Sequence, residues 1–208
     1  MCKKLLLIFL TLMISLSVCA CGMSDSNMDI YEKIHNHYNK MKSYSADLDL
    51  TVYSNKTENR YFITQKTILP NKFYNRATDE KGTFSVITVS DGTTTKTQAN
   101  GSDYSITVPA EDYLNILFVN NFLKAYYASE ETSLSVDNSL TKSDKTVFTV
   151  SLENPDITAS KVSMSFNNKT LSPDTVTVYG KDGKTLATAK YENFKYNDKI
   201  DESVFNTD

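Results

Sequence analysis

Apolar side chains recur along this chain with two different periods, and the switch between them divides it. Over "MDIYEKIHNHYNKMK", residues 28–42, Ile30, Tyr31, Ile34, Tyr38 and Met41 fall at helical spacing. The pattern predicts a short amphipathic helix with Asp29 capping its start. From residue 43 the period drops to two. "SYSADLDLTVYS", residues 43–54, sets Tyr44, Ala46, Leu48, Leu50 and Val52 on one face and Ser45, Asp47, Asp49 and Thr51 on the other. That is the alternation of a strand with one dry face. "RYFITQKTIL", residues 60–69, is apolar on both faces, and Pro70 ends it. "KFYNRAT" and "TFSVITVS" read as the next strands. The Asp-Gly and Asn-Gly pairs of "SDGT" and "ANGS" mark hairpin turns around "TTTKTQA" and before "SDYSITVP".

One segment breaks the meander. "AEDYLNILFVNNFLKAYYAS", residues 110–129, reads as a helix starting after Pro109 and apolar nearly all the way round, which implies cover on two sides. The alternation resumes in "KTVFTVSLE", "SKVSMSFNN", "DTVTVYG" and "KTLATAKYENFKYN", with "NNKTLSP" and "KDGK" as turns. The ending "YNDKIDESVFN" reads as a final edge segment with Ile200, Val204 and Phe205 tucked back. These elements predict a mainly β (α+β) fold. An antiparallel sheet of about 10–11 strands curls into a half-barrel, with two helices, one of them lying against the concave face.

The first residues carry a different message. Lys3 and Lys4 precede the uncharged run "LLLIFLTLMISLSV", residues 5–18. Fourteen residues are too few to cross a bilayer core, which takes about 20, so the run reads as an export signal. Val18, Cys19 and Ala20 before Cys21 resemble a bacterial lipobox: aliphatic, variable, small, then cysteine. The resemblance implies cleavage between Ala20 and Cys21 and a diacylglyceryl group on the Cys21 thiol. Residues 1–20 are then the signal peptide, 21–28 the lipidated N-terminus and leash, and 29–208 a single domain. Two acyl chains anchor stably where one is marginal. The seven residues of "GMSDSNM" reach at most roughly 25 Å, so the domain works close to the membrane, on its extracytoplasmic side. Of the three cysteines, Cys2 and Cys19 leave with the signal, so neither a disulfide nor a thiolate metal site is expected.

Without the signal the chain carries 20 basic against 25 acidic side chains, a net of about −5. That argues against nucleic acid and against a polybasic hold on anionic lipid. Candidate chemistry is sparse. His35 and His37 stand two residues apart on a helix, roughly 200° round, and cannot converge on one metal. Asp47 and Asp49 share a strand face but read as the solvated side of an edge strand. Asp79, Glu80, Glu130 and Glu131 read as loop charges. Phosphate-loop, catalytic-serine and metal-ligand spacings are all missing. No enzyme activity, metal or cofactor is expected.

Several of these stretches in this order resemble the LolA/LolB-like superfamily of lipoprotein carriers and receptors. The first helix running into "MKSYSADLDLTVYS" is similar to the family's opening. "TILPNKFYN" resembles its apolar strand, proline and aromatic strand; "VITVSDGTTT" matches its "vsDG" hairpin, and "KYNDKIDESVFN" its close. The likeness covers most of residues 28–208. Carriers of this superfamily are soluble, whereas this chain has a lipobox, and it looks more like the Gram-positive spore germination lipoproteins of the GerS type. That resemblance implies a non-catalytic partner of a cortex-modifying N-acetylmuramoyl-L-alanine amidase, on forespore membranes. The superfamily at large implies the alternative, a carrier of lipid or lipoprotein acyl chains.

Two sets of residues follow. For a protein partner, an amidase or another exported protein, Tyr61, Phe62, Phe73 and Tyr74 offer side chains of the kind enriched at interface anchors. The same strand, if exposed, invites strand exchange with a second copy into a homodimer. For an acyl chain, Leu48, Leu50, Tyr113, Leu117, Phe118 and Phe122 are the candidates to line an apolar pocket.

Overall fold

Two meanders joined at their starts and ends build one sheet. The computed structural model describes residues 25–54, 56–100, 105–109, 116–137, 144–152 and 159–206. Helix α1 (Asp25–Tyr38) leads into β1 (Ser43–Tyr53), β2 (Glu58–Ile68), β3 (Lys72–Asp79), β4 (Ser85–Asp91), β5 (Thr94–Ala99) and β6 (Ser105–Pro109). Helix α2 (Val119–Ala128) precedes β7 (Thr132–Asp137), β8 (Lys145–Ser151), β9 (Ala159–Asn167), β10 (Pro173–Gly180) and β11 (Thr185–Tyr196). The sheet has eleven strands in the order β6-β5-β4-β3-β2-β1-β11-β10-β9-β8-β7, all antiparallel. Each strand neighbours its sequence neighbour except at the middle, where β1 pairs with β11.

That closure makes β1 and β2 interior strands. Asp47 and Asp49 therefore lie on the open face of the sheet's centre, not on an edge. Because β1 and β3 flank it, β2 has no free ladder to offer a second copy, and the strand exchange expected there is not available. The edges are β6 and β7.

The tight turns follow their residues. Gly92 (φ 98°) and Gly183 (φ 77°) take the left-handed backbone that the Asp-Gly pairs predicted. The Asp91 carboxylate accepts from the amides of Thr93 and Thr94 at 2.7 and 2.9 Å. At the β9–β10 turn, Asn167 Oδ1 accepts from Lys169 and Thr170 in the same way. Asn193 (φ 50°) marks an irregularity in β11 where the register against β1 slips between Ser45 and Asp47. Without this bulge, Tyr191 and Phe194 would point to opposite faces. With it, Phe194 stacks on Tyr44 at 5.4 Å and Tyr191 also stays inside.

Four elements differ from the sequence expectation. Helix α1 begins at Asp25, so residues 25–28, expected in the leash, form its first turn and Asp29 lies within the helix rather than capping it. The second helix is shorter than 110–129. Ile116 and Leu117 lie in a turn, Phe118 is extended at φ −82° and ψ 127°, and residues 110–115 are outside the described residues. Leu117 is drawn out of the helix because its carbonyl accepts from Tyr191 Oη and from Gln65 Nε2. Strand β7, "TSLSVD", is an addition, with Leu134 and Val136 on its inner side. The ending is not an edge strand but a 3₁₀ helix, Glu202–Phe205. Asp201 caps it by accepting from the Ser203 amide at 2.9 Å, and β11 has no vacant side to pair with.

Both helices pack on the sheet's inner face, where one was expected. α1 contributes Ile34 (0 % exposed) and Tyr38, whose ring meets Phe166 at 5.3 Å and whose hydroxyl donates to the Leu171 carbonyl. α2 contributes Val119, Phe122, Leu123 and Tyr126.

Candidate functional site

The inner face has two halves. From β7 to β3 it is apolar, with Leu48, Phe148, Val162, Met164, Phe166 and Val176 all buried. On β4 and β5 it turns to hydroxyls: Thr88, Ser90 and Thr95 are buried there beside Gln65 of β2. Among the described residues, Gln65 Oε1, Asn75 Oδ1 and Thr95 Oγ1 have no hydrogen-bond partner. The apolar-pocket candidates are packed core. Phe118 and Phe122 are 1 % and 0 % exposed, Leu48 is buried, and Leu50 and Leu117 are partly buried against the same cluster. Tyr113 lies outside the described residues. An apolar groove of about 430 Å³ does run between the helices, lined in part by Tyr38, Met41, Leu69, Leu123 and Tyr127.

The partner candidates divide between the two faces. Phe73 is core, its ring 5.1 Å from Phe118. Tyr61 lies opposite Leu50 on the inner side, half-buried, with its ring edge-on to Phe84 at 6.1 Å. Phe62 and Tyr74 alone project from the outer face. A period of two forces this split, because Tyr61 and Phe62, or Phe73 and Tyr74, cannot share a side. Phe62 is 43 % exposed, with the Arg60 guanidinium 5.1 Å from its ring centroid.

Around these two rings the outer face is charged. Asp49 accepts from Arg60 Nε and Nη2 at 2.7 and 2.5 Å, which holds its carboxyl below the usual range. Asp47 accepts from Thr64 Oγ1 at 3.1 Å and from Asn193 Nδ2 at 2.9 Å. The two aspartates are therefore bound to their neighbours and not poised as a pair for acid–base work. Asp79 caps the β3–β4 turn, accepting from the Phe84 amide (2.8 Å) and Thr83 Oγ1 (2.6 Å), contacts that lower its pKa. Among the described residues no three His, Cys, Asp or Glu side chains come together as a metal site.

A groove of about 330 Å³ sits on this face, lined by Thr64, Lys66, Tyr74, Arg76 and Val204. Sequence reasoning found Tyr74 but missed the two cations. Their signal was present in the same period-two count that placed Thr64, Lys66, Tyr74 and Arg76 on one side of adjacent strands.

The histidines diverge as expected, yet both are packed against rings. His35 stacks on Tyr31 (6.0 Å) and meets Tyr127 edge-on (4.9 Å). His37 stacks on Tyr196 at 4.0 Å, and its carbonyl accepts from Tyr196 Oη. Partial burial pushes the His37 imidazole below its ordinary 6.5. The unfolded chain then takes up its proton first as pH falls. Stability from this contact is complete above about 6.5 and is lost below it, toward the folded value. The urea midpoint is expected to fall from pH 7.5 to pH 5.5, and His37→Phe, which keeps the stacking and the backbone carbonyl, to reduce that fall. An unchanged slope in the variant would remove His37 as its source.

An open, curled antiparallel sheet with two helices packed on its inner face is a half-barrel. Residues 2–205 match the family described as sporulation protein YdcC-like, and the chain belongs to that family. No curated protein matches the sequence. Among solved structures, the fold is similar to an uncharacterized conserved protein from Thermus thermophilus, with a TM-score of 0.55 and 12 % identity over 87 % of this chain and 93 % of that one. Weaker likenesses include the CwlD amidase in complex with the GerS lipoprotein from Clostridioides difficile (TM-score 0.46, 20 % identity, 84 % and 98 % covered). Another is the LolA superfamily protein NE2245 from Nitrosomonas europaea (TM-score 0.38, 11 % identity, 87 % and 97 % covered).

Proposed function

We propose that this protein is a non-catalytic lipoprotein, anchored through Cys21 at the extracytoplasmic face of the cell membrane. In this reading it binds an exported partner, a spore cortex N-acetylmuramoyl-L-alanine amidase, and supports its activity. Membership of a sporulation family supports the setting. The observation that carries the binding reading is Phe62, a large apolar ring 43 % exposed on a strand whose opposite face is buried. Large aromatic side chains are enriched at the anchoring cores of protein interfaces. The experiment is a pull-down from sporulating cells with the tagged chain. The amidase is expected to co-purify, and Phe62→Asp to abolish its capture; a sporulating extract that yields no amidase would sink the reading. Labelled palmitate is expected to enter the unaltered chain and not Cys21→Ala; an unaltered chain that takes up no label would exclude acylation as the anchor.

The second reading, a carrier of acyl chains, draws support from the apolar groove between the helices. It is weakened by the inner face, filled with the chain's own side chains and polar along β4 and β5. Mass spectrometry of organic extracts of the purified protein decides it. About one lipid per chain, beyond the N-terminal anchor, favours the carrier.

A further inference from the structure

The outer face of β2–β4 departs from the rest of the sheet in composition. On β1 and β11 the outward positions are Asp47, Asp49, Thr51, Lys190 and Glu192, a solvated surface laced with side-chain contacts. On β2, β3 and β4 the outward positions run Phe62, Thr64, Lys66; Tyr74, Arg76; Ile87, Val89. Registered pairs place Thr64 beside Arg76 and Lys66 beside Tyr74, with Ile87 and Val89 on the next strand. Apolar and cationic side chains thus share one open surface.

The arginines sharpen the picture. The chain has 22 basic residues, of which 20 are Lys, and both of its arginines, Arg60 and Arg76, stand on this face. Arg60 is committed to Asp49. Arg76 has no ion-pair or hydrogen-bond partner among the described residues, and Lys66 has only the longer-range attraction of Asp201. Guanidinium is the side chain suited to grip a carboxylate with two parallel hydrogen bonds.

The groove between these cations is built, not incidental. Tyr74 and Thr64 form its floor on two paired strands. Val204 supplies a wall from the 3₁₀ helix, which is fixed from three sides: Phe205 is 2 % exposed, Lys72 Nζ pairs with Glu202 at 2.6 Å, and Asp201 caps the turn. The tail that carries this wall is strapped across β1 by hydrogen bonds from Ser43 Oγ and Ser45 Oγ to Asp198, at 2.7 and 2.5 Å.

We infer that this groove is the seat of an acidic peptide segment of the protein partner, whose carboxylate lies between Lys66 and Arg76 over the Tyr74 ring while an apolar neighbour rests on Phe62. The inference rests on the partner-binding reading and deepens it by naming the surface and the chemistry it selects. Charge complementarity argues for this occupant. The chain is acidic overall, with a net charge of −3, yet here it presents two cations flanking an aromatic floor. A groove of about 330 Å³ takes one or two side chains rather than a folded ligand.

The test uses the mature, acylated chain in phosphatidylcholine nanodiscs. The probe is a blocked hexapeptide with four Glu or Asp and two Phe, beside its Gln/Asn analogue. In backbone amide NMR the acidic peptide is expected to shift residues 64–66, 74–76 and 204 saturably, and the neutral analogue not to. Lys66→Glu with Arg76→Glu is expected to weaken the dissociation constant by roughly tenfold or more, the loss of about one charge-assisted contact. Both side chains reach solvent, so the pair should leave Tm unchanged. Shifts scattered over surface lysines, or indifferent to the double reversal, overturn the inference. So do shifts at these residues produced by phosphatidylglycerol in the nanodisc and not by the peptide, which would turn the face toward the bilayer. The same double variant is then offered to the amidase. Undiminished capture by the variant defeats the groove and leaves the partner reading standing. Absence of capture by the unaltered chain defeats the partner reading, while the peptide titration still decides the groove.

Discussion

Phe148→Ala is expected to lower the free energy of unfolding by about 3–5 kcal/mol, the largest effect of any single truncation proposed for this molecule. Phe148 is fully buried on β8 and touches every layer of the core. Its ring lies 6.0 Å from Tyr31 of α1, 4.8 Å from Tyr126 of α2 and 5.3 Å from Phe166 of β9. Removing it leaves a void that none of three stiff aromatic neighbours can fill by a rotamer change, so the cavity cost adds to the lost transfer energy. Urea unfolding of the soluble domain measures the loss. Phe62→Ala, on the open face, is the control and is expected to stay within about 0.5 kcal/mol. A Phe148→Ala variant losing less than about 1 kcal/mol would mean that the two helices are not locked to the sheet through this ring.

The second large effect comes from a single oxygen. Tyr191→Phe keeps the ring and deletes the hydroxyl that donates to the Leu117 carbonyl at the entrance to α2. Tyr191 is buried, and burial pushes its hydroxyl well above 10, so it is a donor at every working pH. Losing the nearer of its two donors leaves this partly buried carbonyl with only the long bond from Gln65 Nε2 at 3.4 Å, at a cost of about 1 kcal/mol. The α2 N-terminus has no side-chain cap of its own, so the loss should appear first there. Hydrogen exchange of the α2 amides is expected to accelerate while that of the β1 and β11 amides stays slow. Tyr196→Phe, whose hydroxyl reaches the His37 carbonyl at 2.7 Å in a partly exposed site, should cost about 0.5–1.5 kcal/mol and leave α2 unaffected. Equal protection of α2 in the Tyr191→Phe variant would show that Leu117 is held without the Tyr191 hydroxyl, with Gln65 Nε2 as the donor that remains.

Both predictions concern contacts that lock helices onto the inner face, and they bear on function through the outer one. A surface can present Phe62 and Tyr74 at fixed spacing only if the strands carrying them are held from behind. Behind Phe62 and Tyr74 lie Ile63 and Phe73, both buried, and Phe73 leans on Phe118 at the mouth of α2. Loosening α2 therefore connects a core change to a weaker interface, and the Tyr191→Phe variant tests that connection directly when offered to the acidic peptide.

Local pattern was a good guide wherever the physics is local. Alternation placed β1 and β2 within a residue or two of their ends, and the Asp-Gly pairs at 91–92 and 182–183 gave the turns with their left-handed glycines. It failed where a distant partner set the outcome. The helix expected from residue 110 gives way to a turn at Leu117, because Gln65 and Tyr191, both far away in sequence, claim its carbonyl. "YENFKY" reads as plain alternation or as none, and only the contact with β1 shows that Asn193 is a bulge returning Phe194 and Tyr196 to the inside. Strand β7 has only Leu134 and Val136 to announce it among serines and threonines.

What the sequence by itself determined is therefore the inventory: two helices, a run of short antiparallel strands and one side of each strand to bury, because periodicity is a property of neighbouring residues. Only the tertiary structure decided that Tyr44 meets Tyr196, making β1 and β2 central strands with no free edge. It also decided that the C-terminal turn folds over the outer face to wall a cationic groove. Pairings across some 150 residues leave no local trace, since any closure of so long a loop costs nearly the same entropy and the choice among them is made by how the buried faces fit.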